Sequence, residues 1–199
     1  STAMSNMDEV RDAVNCVKKY IPNKFVLMQC TGNYPAKNQD SNLKVMLTYK
    51  KIFNCLYGYS DHTEGYVNPI AATALGASVY EKHFTLGKSL KGPDHRMSLT
   101  PSELKKTIEK IRETTLILGT SKKEVLKSER HNRLRLKKSL VSKNFIKKGK
   151  KLNKNMFAIK RPGTGLLPKK IYSISKFVAL KTIKPNLTIK QRMLRRLKK

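Results

Sequence analysis

The sequence predicts an α/β fold: a parallel sheet flanked by helices, followed by a smaller β-rich part. Three observations carry this. Over residues 1–118, short apolar runs of strand length alternate with segments whose apolar residues recur at helical spacing, and such alternation implies a parallel sheet. Each of those short runs ends in a dense polar cluster. Beyond residue 118 the chain changes to short apolar runs broken by Gly and Pro and set among many Lys and Arg.

The elements follow in order. Ser5-Asn6-Met7-Asp8 has the form of a helix start, a Ser cap with an acid three residues on. Val10, Ala13, Val14, Val17 and Ile21 follow at helical spacing, and Pro22 and Asn23 end the helix. Residues 25–31 form a first strand. Leu43, Met46, Leu47 and Ile52 mark a second helix, residues 55–59 a second strand, and residues 68–76 a short Ala-rich helix. Residues 78–85, with β-branched and aromatic side chains, form a third strand. Thr100-Pro101-Ser102-Glu103 combines a Thr cap, Pro at the first helical position and Glu at the third. Leu104, Ile108, Ile111, Thr115 and Leu118 line one face of that helix, and Gly119 stops it. Three strands are too few to bury a parallel sheet with helices on its faces. The chain also opens on a helix cap without an initiator Met, so it is expected to begin inside a domain whose earlier strand–helix units lie outside it.

The 199 residues suffice for one or two domains with a real core. A hydrophobic content of 39% excludes a purely disordered tail. No run of apolar residues is long enough to read as a transmembrane helix, and the first residues lack the basic-then-apolar pattern of a signal peptide. Cys16, Cys30 and Cys55 are an odd set without metal-knuckle spacing, which points away from a disulfide framework and towards a reducing, cytoplasmic setting. The net charge of +30 is unevenly spread: residues 1–118 carry +5, residues 119–199 carry +25, and no acidic residue follows Glu129. Such a surplus admits a polyanion partner, whether RNA, DNA or an acidic membrane surface. Its basic residues nevertheless interleave with regular apolar positions, as on the solvated surface of a folded domain. The aromatics after residue 119 are Phe145, Phe157, Tyr172 and Phe177, and most sit in apolar runs that read as core rather than as stacking platforms for nucleic acid.

The polar clusters hold the candidate chemistry. Gln29-Cys30-Thr31-Gly32-Asn33-Tyr34-Pro35 follows the first strand, and Tyr59-Ser60-Asp61-His62-Thr63 the second. Glu81-Lys82-His83-Phe84-Thr85 closes the third and is followed by Gly92-Pro93-Asp94-His95. In a (β/α)8 barrel the C-terminal ends of the strands are the face on which active sites are built. His62 and His83, on neighbouring strand ends, either converge on one metal ion or serve as hydrogen-bonded structural residues.

Taken together, Ser1-Thr2-Ala3-Met4-Ser5, these four clusters, Gly58, Ala74-Leu75-Gly76-Ala77 and Lys160-Arg161-Pro162-Gly163-Thr164-Gly165 resemble the sialic acid synthase (N-acetylneuraminate synthase) family, in its order and at its spacing. The resemblance spans essentially the whole chain. It implies the C-terminal portion, about strands five to eight, of a (β/α)8 TIM barrel followed by a small β-rich antifreeze-like (β-clip) domain. Residues 1–118 would be the partial barrel, 119–136 a linker and 137–199 the antifreeze-like domain. The apolar runs at 140–141, 145–146, 156–159 and 177–183 fit short strands there.

The family's reaction condenses phosphoenolpyruvate with an open-chain N-acetylated amino sugar such as N-acetylmannosamine, giving a nine-carbon 2-keto acid sugar and phosphate. The resemblance implies that His62 and His83 bind a divalent metal, Mn2+ or Mg2+. It places Ser1, Tyr34 and Ser60 at phosphoenolpyruvate, Asp94 at the sugar, and Arg161 over the barrel mouth of the partner in a domain-swapped homodimer. Glu81, two residues before His83 and so on its face of the strand, is expected to orient metal or water. Three positions depart from the family: Gly32 where Ser or Asn is usual, Ala3 for Gly, and Gln29 where bacterial members often have His. The family's phosphate- and carboxylate-binding lysines and its catalytic Glu belong to the half of the barrel that this chain lacks, so the chain alone is expected to have no synthase activity. Legionaminic and pseudaminic acid synthases share these motifs, so the sugar stays open. A basic nucleic-acid-binding or assembly module is the alternative from another class.

Overall fold

A computed structural model describes residues 1–22 and 24–197; Asn23, expected to help end the first helix, lies outside the described residues. The chain divides into two compact units, Ser1–Ser121 and Lys122–Lys199.

In the first unit, α1 (Met7–Tyr20), β1 (Val26–Cys30), α2 (Val45–Phe53), β2 (Leu56–Asp61), α3 (Val67–Ala74), β3 (Val79–Lys82) and α4 (Pro101–Leu118) alternate as the periodicity requires. The three strands form one parallel sheet in the order β1-β2-β3. β2 is central and buried at every position after Leu56, as a strand covered on both faces must be. Met46, Tyr49 and Phe53 of α2 and Val10 and Val14 of α1 pack with Leu27, Tyr57 and Tyr59 into one core. Gly58 is required by the ladder: it lies opposite Val79, and a Cβ there would overlap the Val79 carbonyl oxygen.

Two helix ends differ from expectation or refine it. The cap of α1 is Asn6 rather than Ser5: Asn6 Oδ1 accepts from the Asp8 and Glu9 amides, and the Glu9 carboxylate accepts from the Asn6 amide. The box is therefore one residue later, because Glu9 stands at the third helical position counted from Asn6. The cap of α4 is Thr100 as read, with Pro101 first and Glu103 closing a capping box. The apolar stripe of α4 is not closed over, however. Leu104 and Ile111 are half-buried while Ile108, Thr115 and Leu118 are exposed, and the buried residue of the helix is Thr107.

The second unit is built of short antiparallel pairs. The segment 119–136, expected as a linker, carries a helix, α5 (Arg130–Leu136), and from Lys122 onward it belongs to this unit. β4 (Ser139–Ser142) pairs with β5 (Phe157–Lys160), and β6 (Phe177–Ala179) with β7 (Leu194–Arg196), a strand the sequence reading did not anticipate. Leu140, Ile146, Leu152, Phe157, Ile174, Ile183 and Ile189 form its core. Of the aromatics expected there, Phe157 is buried and Phe177 packs against the core, whereas Phe145 and Tyr172 are exposed. Gly165 is a second obligatory glycine, since a Cβ would overlap Thr188 and the Ile189 carbonyl. Every described Lys and Arg of this unit is exposed. No described helix is long and apolar enough to cross a membrane.

Glu103 gives a pH test of the α4 start. Its carboxylate accepts from Lys88 Nζ at 2.7 Å and from the Thr100 amide at 2.9 Å, and these donors, Lys88 first, hold its pKa at about 2 against the usual 4.5. A depressed carboxylate contributes stability that is present above pH 4.5 and lost as pH falls towards 2. The stability difference between the unmutated chain and Glu103→Gln, measured by urea unfolding, is therefore expected to be constant above about pH 5 and to shrink on acidification through that window. A difference that does not change with pH would refute the assignment.

Candidate active site

Strand alternation sorts the side chains at the ends of β2 and β3 into two rows. Ser60 and His62, with Glu81 and His83, make one row; Asp61 and Lys82 make the other. The parallel register opposes Ser60 to Glu81 and Asp61 to Lys82, the last rung of the ladder.

In the first row, the Ser60 hydroxyl donates to Glu81 Oε1 at 2.7 Å. The His62 and His83 ring centres are 5.2 Å apart. Tyr34, from the loop after β1, stacks on His62 at 4.1 Å and meets His83 edge-on at 5.8 Å. The peptide bond from Tyr34 to Pro35 is cis, and the Ala36 amide next to it donates to the His62 carbonyl at 2.9 Å. His62 is buried, and its Nδ1 lies 2.8 Å from the Thr31 carbonyl and 3.7 Å from Cys30 Sγ. A carbonyl only accepts, so Nδ1 carries the proton and Nε2 presents the free lone pair. His83 Nδ1 lies 3.7 Å from Asp94 Oδ2, within ion-pair range and too far for a hydrogen bond. The loop that brings Asp94 is tied down by the Leu99 amide on the His83 carbonyl and by Thr85 Oγ1 on His95 Nδ1 at 2.8 Å.

Tyr34, Ser60, His62, Glu81, His83 and Asp94 thus come together. Ser1 is exposed, and its position is set through its neighbour: the Thr2 amide and hydroxyl both donate to the Met28 carbonyl of β1. Arg161 belongs to the second unit, where it is exposed and its Nε donates to the Leu136 carbonyl. The departures have local explanations. Met4 occupies the space over Gly32 where a Cβ would go. Gln29 is buried, donating to the Ser41 carbonyl and accepting from the Tyr49 hydroxyl, which also donates to Thr2 Oγ1.

The donor chemistry suits a divalent ion in part. Two imidazoles, one with its Nδ1 turned to a carbonyl so that Nε2 faces away from it, are side chains of a kind that binds metals. Among the described residues no cluster of three or more His, Cys, Asp and Glu side chains could hold an ion. The remaining ligands of an ion at His62 and His83 would have to be water or substrate oxygens.

The second row is where sequence reasoning missed residues. Asp61 is fully buried. Its Oδ1 accepts from the Thr63 amide (2.8 Å) and hydroxyl (2.7 Å), and its Oδ2 accepts from Tyr80 (2.7 Å) and faces Lys82 Nζ at 3.6 Å. Lys82 Nζ also donates to the Thr63 carbonyl. Burial lowers the Lys82 pKa, with Asp61 opposing it; burial and the Asp61 charge both raise the Tyr80 pKa. Asn68 at the start of α3 donates to Thr63 Oγ1 and Ser41 Oγ, which carries the network into the loop before α2. The available signal was opposite charge at matching places in the two strand-end clusters, Asp61 and Lys82.

A parallel α/β sheet with an imidazole pair and carboxylates at its strand ends places the first unit in the α/β class, with its candidate site at the strand ends. Within that class, the NeuB family model matches residues 1–123, and the chain belongs to the NeuB family. It is 42% identical over 178 residues to an N,N'-diacetyllegionaminic acid synthase of Legionella pneumophila, covering 87% of this chain and 50% of the relative. It is 36% identical to an N-acetylneuraminate-9-phosphate synthase of Homo sapiens, covering 97% and 54%. The crystal structure of an N-acetylneuraminic acid synthetase from Leptospira borgpetersenii in complex with citrate superposes with a TM-score of 0.60 at 35% identity, over 65% of this chain and 45% of that one. The chain spans about half the length of the curated relatives it matches.

Removing Lys82 alone strands a buried carboxylate. Lys82→Met is expected to destabilise the first unit by about 3–5 kcal/mol in urea unfolding, and adding Asp61→Asn to recover most of that loss. A single variant as stable as the unmutated chain would sink the pairing.

Proposed function

We propose that this chain is the C-terminal part of a synthase that condenses phosphoenolpyruvate with an open-chain N-acetylated amino sugar, giving a nine-carbon 2-keto acid sugar and phosphate. The observation that carries this reading is the His62–His83 pair at adjacent strand ends, 5.2 Å between ring centres and flanked by Glu81 and Asp94, in a chain of the NeuB family. Residues 1–118 correspond in this reading to about strands five to eight of a (β/α)8 barrel and 137–199 to an antifreeze-like domain.

In the reaction, the enol carbon of phosphoenolpyruvate bonds to the aldehyde carbon. Water then adds at the cationic carbon left behind, and phosphate departs. His62 and His83 would hold a divalent ion, Mn2+ or Mg2+, which when bound would supply polarisation of the aldehyde oxygen. Tyr34 packs against both imidazoles, face to His62 and edge to His83. Glu81 Oε1 already accepts a hydroxyl proton from Ser60, so it is the acceptor placed to orient the attacking water and to take its proton. Asp94, partly exposed beside His83, is placed to accept from sugar hydroxyls. Ser1 and Ser60 line the phosphate side. In a domain-swapped dimer, Arg161 would supply a cation to the partner's site. The groups that hold phosphate and carboxylate belong to the part that the full-length relatives carry beyond this chain. A legionaminic acid synthase is the second reading, favoured by the 42% identity to the Legionella enzyme.

Titration of the chain with Mn2+, followed by loss of the free-ion electron spin resonance signal, tests the site. His62→Ala and His83→Ala are each expected to weaken binding about 10-fold or more; equal binding by both variants and the unmutated chain overturns the assignment. Mixed with phosphoenolpyruvate, N-acetylmannosamine and Mn2+, the chain is expected to release no phosphate above background. Release would overturn the reading that the other half of the barrel is needed.

A further inference from the structure

We propose that Lys82 and Asp61 are positioning residues: a cross-strand clamp, on the face of the sheet opposite the candidate site, that sets the placement of His62 relative to His83. This deepens the metal-site reading and takes its functional meaning from it.

The geometry is specific. His62 and His83 each stand one residue beyond the last rung of the β2–β3 ladder, and their carbonyls accept from outside it, from the Ala36 and Leu99 amides, so no further β2–β3 rung sets one against the other. The rung beneath them is Asp61 opposite Lys82. His62 lies between Asp61 and Thr63, and both of those are gripped. Asp61 Oδ1 takes the Thr63 amide and hydroxyl, which closes a tight turn around His62. Lys82 reaches across from the neighbouring strand to the Thr63 carbonyl and to Asp61 Oδ2. Thr63 is thereby held at its amide, its hydroxyl and its carbonyl, two of them from β2 and one from β3. The residue that makes the cross-strand contact is bonded directly to His83. One ammonium group therefore joins the two histidine-bearing chain segments. Its side chain is 2% exposed and that of Asp61 0%, so water does not compete for these bonds. Tyr80 completes Asp61 from the same strand as Lys82.

A buried ion pair adds little net stability relative to neutral groups of similar size, yet it is directional in a way an apolar pair is not. Here the direction points at the backbone on either side of His62. Loosening the clamp is expected to release the His62 ring from the Thr31 carbonyl and with it the fixed tautomer.

The test reads the imidazole rings directly, in long-range proton–nitrogen NMR spectra of the full chain, which has four histidines. Above pH 8 the unmutated chain is expected to show His62 as one tautomer, protonated on Nδ1. Asp61→Asn with Lys82→Met removes the cross-strand part of the clamp, the contacts of the Lys82 ammonium, without leaving an unpaired charge. The expected result is a folded variant, by circular dichroism and thermal melting, in which the two His62 nitrogen shifts move towards each other as the tautomers average. Its Mn2+ affinity is expected to fall about 10-fold or more, the size of effect seen when outer partners of metal ligands are lost. A folded double variant with unmoved His62 signals overturns the proposal. If that variant does not fold, Thr63→Val removes one strut and keeps both charges paired; averaging of the His62 shifts supports the clamp, and unmoved shifts overturn it. Failure of the unmutated chain to bind Mn2+ overturns the metal reading alone, because the ring signals decide the positioning without metal.

Discussion

The close parallel pairing of β2 with β3 is the constraint on which the site depends. Its register opposes Ser60 to Glu81 and Asp61 to Lys82, and a period of two sends these rungs to opposite faces. Slipping β3 by one residue against β2 would turn Glu81 and His83 to the dry side and Lys82 towards the site, parting His83 from His62 and Lys82 from Asp61. Gly58 is what lets the strands approach at the foot of this ladder, since any Cβ there meets the Val79 carbonyl. The backbone at one glycine and the chemistry two to four residues further on are thus one mechanical unit.

The two rows differ in what surrounds them, and that difference assigns their work. The row of Ser60, His62, Glu81 and His83 mixes buried and exposed groups, and its polar atoms retain free valences: the Nε2 of His62 and the second oxygen of Glu81. The row of Asp61 and Lys82 is sealed from water, and its carboxylate is fully partnered. Asp61 accepts three hydrogen bonds and faces an ammonium, and the network runs through Thr63 to Asn68 and Ser41. Gln29 bonds to the Ser41 carbonyl, and Tyr49 then links Gln29 to Thr2 beside Ser1. Polar groups that are fully partnered hold a single arrangement. Those left with unfilled valences are the ones available to a ligand.

The alternation of strands and helices in the first unit was legible because periodicity is a local property. The apolar spacing of residues 10–21 and 43–52 and the Thr100-Pro101-Ser102-Glu103 start report helices directly. The grouping of Tyr34, His62, His83 and Asp94 was legible through the position of polar clusters after strands, with the family resemblance naming the individual residues. What could not be read depends on partners distant in sequence. The choice of Asn6 over Ser5 as cap follows from which residue lies three before Glu9, a detail a one-residue shift conceals. The burial of Asp61 and Lys82 follows from register, which no single strand encodes. The exposure of Ile108 and Leu118 within the α4 stripe could not be read either, because an exposed stripe looks, in sequence, the same as one that is covered.

Charge shows the same distinction between number and surroundings. Residues 119–199 hold most of the +30, and every Lys and Arg described there is exposed. In water at physiological salt such charges act over about 8 Å, and their individual interactions are weak. They keep the second unit hydrated while its apolar runs form the core of Leu140, Ile146, Phe157 and Ile183. Lys82 sits instead in the part of the chain whose net charge is only +5, with its side chain withdrawn from water. There the burial that lowers its pKa also removes competition from solvent, so each bond it makes is stronger and more directional than any on the surface. A cation's influence on this fold follows from how dry it is and from which chain segments it joins.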